Sequence, residues 1–143
     1  MEKMIKSIAE LEQFSRSFLD GLRTKEGCAT TVGLSGDLGS GKTAFTKATA
    51  KTLGVIGEVL SPTFVIAKFY EIPEHPSWSH LVHVDAYRIG DPDELSVLRW
   101  GEILADRKNL VLIEWPEHVG AAFPSDAPVL TFRFVDEMTR SIS

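Results

Sequence analysis

The chain contains Gly36-Asp37-Leu38-Gly39-Ser40-Gly41-Lys42-Thr43, an eight-residue stretch that matches the pattern G-x-x-x-x-G-K-[ST]. Glycines let the backbone curl so that successive N–H groups point inward at a phosphate. Lys42 supplies a positive charge for the β- and γ-phosphates, and Thr43 offers a hydroxyl to Mg²⁺. We therefore predict a nucleotide site that runs from Asp37 to Ala44.

The residues on either side of this stretch fit the same interpretation. Ala29 to Leu34 is short and β-branched, which predicts a buried strand, and Lys42 to Leu53 predicts a helix that ends before Gly54. A strand, a glycine loop and a helix in this order direct the positive helix N-terminus at a bound anion. A chance glycine turn that caps a helix is the alternative, but it does not explain eight matching positions.

Apolar strands and helices alternate along the whole chain. Ser7 and Glu10 form a capping box before a first helix. Asp91-Pro92-Asp93-Glu94 predicts a second helix start. Four more strands are predicted from the remaining apolar runs, namely Thr63 to Tyr70, Leu81 to Val84, Leu110 to Ile113 and Pro128 to Val135. This pattern indicates an α/β fold of the P-loop NTPase type, a three-layer sandwich with a mostly parallel central sheet and helices on both faces.

Length and composition exclude several classes of protein. The 143 residues suit a single domain, here one P-loop domain over residues 1–143. A content of 43% apolar residues excludes disorder of the whole chain, and one cysteine excludes a disulfide scaffold. The net charge of -5 argues against a protein that coats nucleic acid by itself. Without an apolar run of membrane-spanning length or a secretory signal, we expect a cytoplasmic protein with no membrane contact.

Two predicted strands end in an acidic residue. Asp85 follows Leu81 to Val84, and Glu114 follows Leu110 to Ile113. Open α/β sheets bind ligands at the carboxyl ends of their strands, and a phosphate loop needs a carboxylate that holds Mg²⁺. We assign Mg²⁺ to Glu114, directly or through water, and the attacking water or a second Mg²⁺ contact to Asp85. The division between the two stays open, as does the alternative that either one caps a turn.

Other polar positions have weaker interpretations. Ser61-Pro62-Thr63-Phe64 lies where nucleotide switches carry a hydroxyl that senses the γ-phosphate, although a proline turn explains it equally well. Trp115 directly follows Glu114, so we expect it beside the nucleotide, whereas core packing explains Trp78 and Trp100 at least as well. The histidines show no metal-ligand spacing. They are His75, His80, His83 and His118.

Five motifs together resemble the TsaE family, formerly YjeE, the bacterial ATPases of tRNA threonylcarbamoyladenosine biosynthesis. The resemblance covers about residues 8 to 135, and the motifs occur in the order and spacing of the family. They are Gly36 to Thr43, Ser61 to Phe64, His83-Val84-Asp85-Ala86-Tyr87-Arg88, Asp91-Pro92-Asp93-Glu94-Leu95 and Glu114-Trp115-Pro116-Glu117.

The resemblance implies a weak ATPase that uses ATP and Mg²⁺, works with the TsaD and TsaB proteins and meets tRNA only through their complex. By matching positions it makes Thr43 and Glu114 the Mg²⁺ ligands, Asp85 the essential acid and Trp115 the tryptophan near the nucleotide. It makes Ser61 to Phe64 the switch-like segment. It places the adenine between the N-terminal helix and the C-terminal strand region, and Gln13 stands near a family threonine of that helix. Separately, Arg140 is a weak match to an arginine in a further strand or turn of family members.

Two other functions stay open. A small-molecule P-loop kinase would need a closing lid, for which only Glu71 to Ser79 is a candidate, and that segment has no arginine. A nucleotide sensor would use ATP to order Ser61 to Phe64 without needing hydrolysis. For an ATPase, the catalytic residues are Lys42 and Asp85. The chain stops at Ser143, soon after the last predicted strand, so we expect a short variant or the front part of a longer protein.

Overall fold

A computed structural model of the protein describes residues 2–24, 26–56, 67–91, 93–95 and 99–143. Three α-helices lie within these ranges, namely α1 (Ile8–Gly21), α2 (Lys42–Thr52) and α3 (Trp100–Ala105). None of the helices among these residues has both the length and the apolar character that a membrane span requires. The strands are β1 (Lys3–Ile5), β2 (Thr30–Ser35), β3 (Ala67–Glu71), β4 (His80–Asp85), β5 (Asn109–Glu114), β6 (Val129–Asp136) and β7 (Thr139–Ile142).

The seven described strands form one sheet in the order β1-β7-β6-β2-β5-β4-β3. The four central strands, β6, β2, β5 and β4, run parallel to one another. Antiparallel strands extend both edges, with β3 on one side and β7 followed by β1 on the other. Every residue of β5 is buried, as expected for a central parallel strand covered on both faces. The predicted α/β class and parallel central sheet are therefore confirmed.

Helices α1 and α2 cover one face of the sheet. The Ser7 hydroxyl accepts a hydrogen bond from the Glu10 amide at 3.1 Å, so α1 begins at the predicted cap. A buried hydrogen bond of 2.9 Å joins the hydroxyls of Ser15 in α1 and Thr49 in α2. An aromatic cluster fills the space between the two helices and the sheet, and its members are Phe14, Phe18, Phe45 and Phe132.

Helix α3 and the 3-10 turns Pro116–His118 and Gly120–Ala122 belong to the opposite face. The core there includes Val111 and Ile113, which alternate along β5 with the residues that face α1 and α2. Because Gly33 in β2 has no side chain, Pro116 and Phe123 can pack closely against the β2 backbone on this face. A Cβ atom at Gly33 would lie 2.9 Å from Pro116 Cγ and 3.0 Å from the Phe123 ring.

We expect Gly33→Ala to destabilise the protein by about 1–3 kcal/mol, because the added methyl overpacks a closed contact with Pro116. Gly101→Ala in α3 is the matched control, since nothing lies within 4 Å of the added atom. The control should be neutral or stabilising by up to about 1 kcal/mol, because alanine favours helix. Urea unfolding measures both free energies, and equal midpoints for Gly33→Ala and the unchanged protein would contradict the packing argument.

Some predicted elements end differently or lie outside the described residues. Strand β3 begins at Ala67, while the earlier part of the predicted strand and the switch-like Ser61, Pro62, Thr63 and Phe64 lie outside the described residues. At the predicted helix start, the Asp91 carboxylate accepts a hydrogen bond from the Asp93 amide at 3.0 Å. A 3-10 turn follows over residues 93–95, whereas Pro92 and residues 96–98 lie outside the description.

The edge strands β1 and β7 are additions to the predicted fold. They pair with each other in antiparallel register, with Lys3 opposite Ile142 and Ile5 opposite Arg140. Strand β7 also pairs with β6, so it is held on both sides. Three residues in β1 and four in β7 are too few for a periodic pattern, so only their pairing across the length of the chain defines them.

Candidate functional site

A cleft of about 750 Å³ opens where β2, β4 and β5 end. The glycine loop before α2 borders it from Leu38 to Ala44, and Asp85 and Glu114 border it from the strand ends. The start of α1 and strand β7 close the remaining side. This is the position at which open α/β sheets bind their ligands.

The glycine loop curls between β2 and α2, as its sequence predicts. Gly41 caps α2 with a left-handed φ of 110°, and Gly39 has a φ of 77°. Gly36 has a φ of 148°, and a Cβ atom there would collide with the Phe132 carbonyl oxygen. The Ser40 amide donates to the Asp37 carbonyl at 3.1 Å, while the exposed Asp37 side chain does not border the cleft. The loop therefore presents the backbone of residues 38–44 to the cleft, an arrangement that suits an anion.

Lys42 lies at the floor of the cleft with only 4% of its surface exposed. Its ammonium donates a hydrogen bond to the Gly36 carbonyl and lies 3.7 Å from the centre of the Trp115 ring. Burial lowers the pKa of Lys42 below its usual range, and nearby carboxylates oppose this effect. Those carboxylates are Glu114, Asp85, Glu117 and Asp37. The ammonium is thus held among backbone and aromatic partners at the mouth of the loop.

The two predicted carboxylates lie at the carboxyl ends of two neighbouring parallel strands. Asp85 and Glu114 occupy opposite positions of the neighbouring strands β4 and β5. Glu114 is buried, and its Oε2 atom accepts a hydrogen bond from the Thr43 hydroxyl at 3.3 Å. Asp85 is half-buried and accepts from the Tyr87 amide at 3.0 Å. Burial raises the pKa of Asp85, which the Tyr87 hydrogen bond partly offsets.

These oxygen donors fit a magnesium ion that also binds phosphate. Mg²⁺ prefers hard oxygen ligands and is commonly held by one or two carboxylates together with substrate phosphates. Glu114 and Thr43 supply a carboxylate and a hydroxyl that already contact each other beside the phosphate loop. Over the part of the chain that is described, no group of three or more histidine, cysteine, aspartate or glutamate side chains forms a metal cage. The donor set is therefore suited to a metal shared with a bound phosphate.

His83 contacts Glu114 of this site, although its spacing in the sequence does not indicate a metal ligand. Its Nε2 atom lies 2.6 Å from Glu114 Oε2, and its side chain is fully buried. Alternation along a strand puts His83 and Asp85 on the same face, and β4 was predicted to lie in the same parallel sheet as β5. That periodicity could have placed His83 on the strand face that carries Asp85, whereas its contact with Glu114 depends on the register of β4 against β5.

Trp115 forms one wall of the cleft. It has a left-handed φ of 61°, which is unusual for a residue with a side chain. Its ring centre lies 5.2 Å from that of Tyr87 and 5.3 Å from that of His118. The structure thus brings Trp115 into the cleft together with Lys42. Its contact with a nucleotide stays a prediction.

The apolar end of the cleft lies between α1, β1 and the β6–β7 hairpin. Ile5, Ile8, Leu11 and Met138 border it. Gln13 is exposed and does not border the cleft. Two residues after Leu11, the helix has turned by about 200°, so Gln13 leaves the face that carries Ile8 and Leu11. A contact between Gln13 and a base stays a prediction.

Arg140 of β7 reaches across the sheet edge to the glycine loop. Its Nε atom donates to the Gly39 carbonyl at 3.1 Å, and its Nη1 atom donates to the Asp136 carbonyl at 2.6 Å. The guanidinium carbon lies 4.4 Å from the centre of the Phe134 ring. Arg140, which is only a weak match to a family arginine, is therefore held in place by these contacts and links β7 to the glycine loop.

We expect Arg140→Ala to weaken ATP binding by up to about tenfold, since one hydrogen bond that orders the loop contributes roughly 0.5–1.5 kcal/mol. Arg133→Ala is the control, because Arg133 lies in β6 and does not border the cleft. Isothermal titration calorimetry measures both affinities. Equal affinities for Arg140→Ala and the unchanged protein would show that the loop keeps its shape without this link.

Comparisons with known proteins identify the family of the chain. The family model described as "Threonylcarbamoyl adenosine biosynthesis protein TsaE" matches residues 5–142. The chain is 35% identical to the tRNA threonylcarbamoyladenosine biosynthesis protein TsaE of Borreliella burgdorferi, covering 91% of this chain and 89% of that one. It is 30% identical to the protein of that name from Rickettsia bellii, covering 97% and 90%. The Streptomyces coelicolor protein of that name is 47% identical over 60% of this chain and 56% of its own.

A solved structure also shares the fold. The crystal structure of Bacillus subtilis YdiB superposes with a TM-score of 0.73 and covers 99% of this chain and 82% of that one. Its sequence is 23% identical, so this likeness concerns the fold alone, which is the predicted P-loop NTPase-like fold. The family match over residues 5–142 and the relatives at 30–35% identity over most of their length lead to one assignment. The chain belongs to the TsaE family.

Proposed function

We propose that this protein is a Mg²⁺-dependent ATPase that acts in tRNA threonylcarbamoyladenosine biosynthesis. One observation carries the proposal: the phosphate loop, Lys42 and two strand-end carboxylates border a single cleft. Membership of the TsaE family supports the pathway. The cleft supports the reaction, because it combines an anion cradle, a buried cation and oxygen donors for a metal.

Phosphate binding falls to the loop and to Lys42. The backbone N–H groups of Leu38 to Thr43 and the N-terminus of α2 stabilise the negative charge of the β- and γ-phosphates. Lys42 exchanges its hydrogen bond with the Gly36 carbonyl for phosphate oxygens and moves away from the Trp115 ring. Because the N–H groups of the loop are fixed by the fold before the reaction, they stabilise the transition state of in-line attack without reorganisation.

Asp85 and Glu114 have different roles in ATP hydrolysis. Asp85 borders the cleft and orients the attacking water, a role that needs its ionised form. Thr43 and Glu114 would hold Mg²⁺, which neutralises charge on the β- and γ-oxygens when it is bound. The Thr43 hydroxyl contact to Glu114 keeps both ligands together beside the loop.

The partner proteins in this proposal are TsaD and TsaB. We propose that hydrolysis by the protein alone is weak and that it is faster in the presence of the TsaD–TsaB complex. The net charge of -5 does not favour independent binding of tRNA, so the complex supplies the contact with tRNA. Family membership supports this partnership, and the cleft supplies the nucleotide chemistry.

The test is phosphate release from ATP by the purified protein, with and without Mg²⁺ and with and without TsaD–TsaB. We expect slow Mg²⁺-dependent release that the pair accelerates. A phosphoryl group that appears on a metabolite instead of in solution would favour the small-molecule kinase. Binding of ATP without hydrolysis, even with the pair, would favour the nucleotide sensor, and no ATP binding at all would refute the proposal.

A further inference from the structure

His83 has a single hydrogen-bond partner among the described residues, and that partner is Glu114. The Nε2 atom of His83 lies 2.6 Å from Glu114 Oε2, and the Nδ1 atom is buried with no partner in the described part of the chain. The imidazole is fully buried and does not border the cleft. It therefore contacts the carboxylate from behind and does not touch the space in which a nucleotide would lie.

We propose that His83 is a positioning residue that fixes the Glu114 carboxylate in the orientation that binds the divalent cation. This inference rests on the proposed function, because it assigns a role toward the metal of that site. Glu114 Oε2 is held from two sides, by His83 Nε2 and by the Thr43 hydroxyl. A glutamate side chain that is free to rotate would lose entropy on binding a metal, whereas one that is already held loses less.

A purely structural role is the competing explanation, because His83 lies on the strand face that packs toward α1 and α2. Packing needs only volume, and leucine or methionine supplies about the same volume without a donor. The proposed role needs a donor at the position of Nε2. Glutamine can present an amide N–H at the distance of Nε2, so it should restore the function that leucine removes.

The experiment compares His83→Leu, His83→Gln and the unchanged full chain. The readouts are the affinity for ADP in EDTA, by calorimetry, and the affinity of the ADP complex for Mn²⁺, by electron paramagnetic resonance. We expect His83→Leu to weaken Mn²⁺ binding by about 10–100-fold, the usual effect of losing a residue that orients a ligand. ADP affinity without metal should change by less than about twofold. His83→Gln should recover most of the Mn²⁺ affinity.

Glu114→Gln decides whether His83 acts through Glu114. In that background, adding His83→Leu should weaken Mn²⁺ binding no further, because the carboxylate that His83 orients is gone. An equal loss in both backgrounds would overturn the proposal, as would unchanged Mn²⁺ affinity in His83→Leu alone. If circular dichroism shows that His83→Leu does not fold, the donor-free His83→Met takes its place in the same comparison.

The outcomes also separate this inference from the proposed function. Failure of the unchanged protein to bind ADP and Mn²⁺ would refute the proposed function itself. Normal binding by the unchanged protein and by His83→Leu would refute only the role of His83. Loss of ADP affinity in EDTA as well as Mn²⁺ affinity would assign His83 to packing of the whole site.

Discussion

Replacing Lys42 by alanine should lower the rate of ATP hydrolysis by about 10²–10³-fold, the usual effect of removing one hydrogen-bond donor that stabilises the charge of a transition state. The side chain is 4% exposed and reaches the mouth of the phosphate loop, where it already donates to the Gly36 carbonyl. Alanine removes this ammonium from the phosphates and leaves their charge to the loop amides and the proposed metal. Without the Lys42 ammonium between them, the negative charges of Glu114 and Asp85 repel the triphosphate.

The matched control is Lys51→Ala in the same helix. Lys51 forms a 2.9 Å ion pair with Glu12 on the surface, and its side chain is 73% exposed. This substitution should change stability by less than about 1 kcal/mol and leave hydrolysis unchanged. Phosphate-release assays and calorimetry with ATP measure both variants. Full activity of Lys42→Ala would remove Lys42 from the mechanism and leave the phosphate charge to the loop backbone and the proposed metal.

Asp85→Asn should lower hydrolysis by about 10²–10⁴-fold, the range that a positioned acid or base contributes. Asparagine keeps the oxygen that accepts the Tyr87 amide at 3.0 Å, so the local turn is preserved. ATP affinity should change much less than the rate, because the loop and Lys42 are untouched. Asp20→Asn, an exposed substitution at the far end of α1, is the control and should keep full activity. Equal rates for Asp85→Asn and the unchanged protein would contradict the assignment.

The same substitution should raise stability in the absence of nucleotide. Burial raises the pKa of Asp85, so the folded protein binds this proton more tightly than the unfolded chain does. The free energy of unfolding therefore decreases as the pH rises from the ordinary aspartate pKa through the raised one. Asp85→Asn lacks this decrease and should be more stable at neutral pH by about 0.5–2 kcal/mol, a common gain when a functional group is removed.

Thermal unfolding from pH 3 to pH 8 tests this sign, and the pH range is chosen to span roughly the ordinary carboxyl pKa values. The difference in melting temperature between Asp85→Asn and the unchanged protein should be smallest at the acid end and largest at neutral pH. Lower stability of Asp85→Asn at neutral pH would show that interactions of the ionised Asp85 outweigh its burial. Higher stability combined with lower activity would identify Asp85 as a residue kept for function.

The sequence predicted most of the features that depend on residues close to one another in the chain. The glycine loop has its conformation because its glycines adopt left-handed angles at Gly39 and Gly41 and avoid a collision at Gly36. Asp85 and Glu114 could be brought together from the sequence because both end apolar strands, and parallel strands align their carboxyl ends. The α1 cap at Ser7 depends on residues only three positions apart.

Contacts between distant parts of the chain were decided by tertiary structure alone. The pairing of β1 with β7 joins the two ends of the described chain and brings Arg140 to Gly39, more than a hundred residues away in sequence. His83 meets Glu114 only because β4 and β5 align in one particular register. Local propensity reports on neighbours within a few residues, whereas these contacts depend on the packing of the whole sheet. The sequence by itself thus determined the phosphate loop and its carboxylates, and the fold determined which side chains hold them in place.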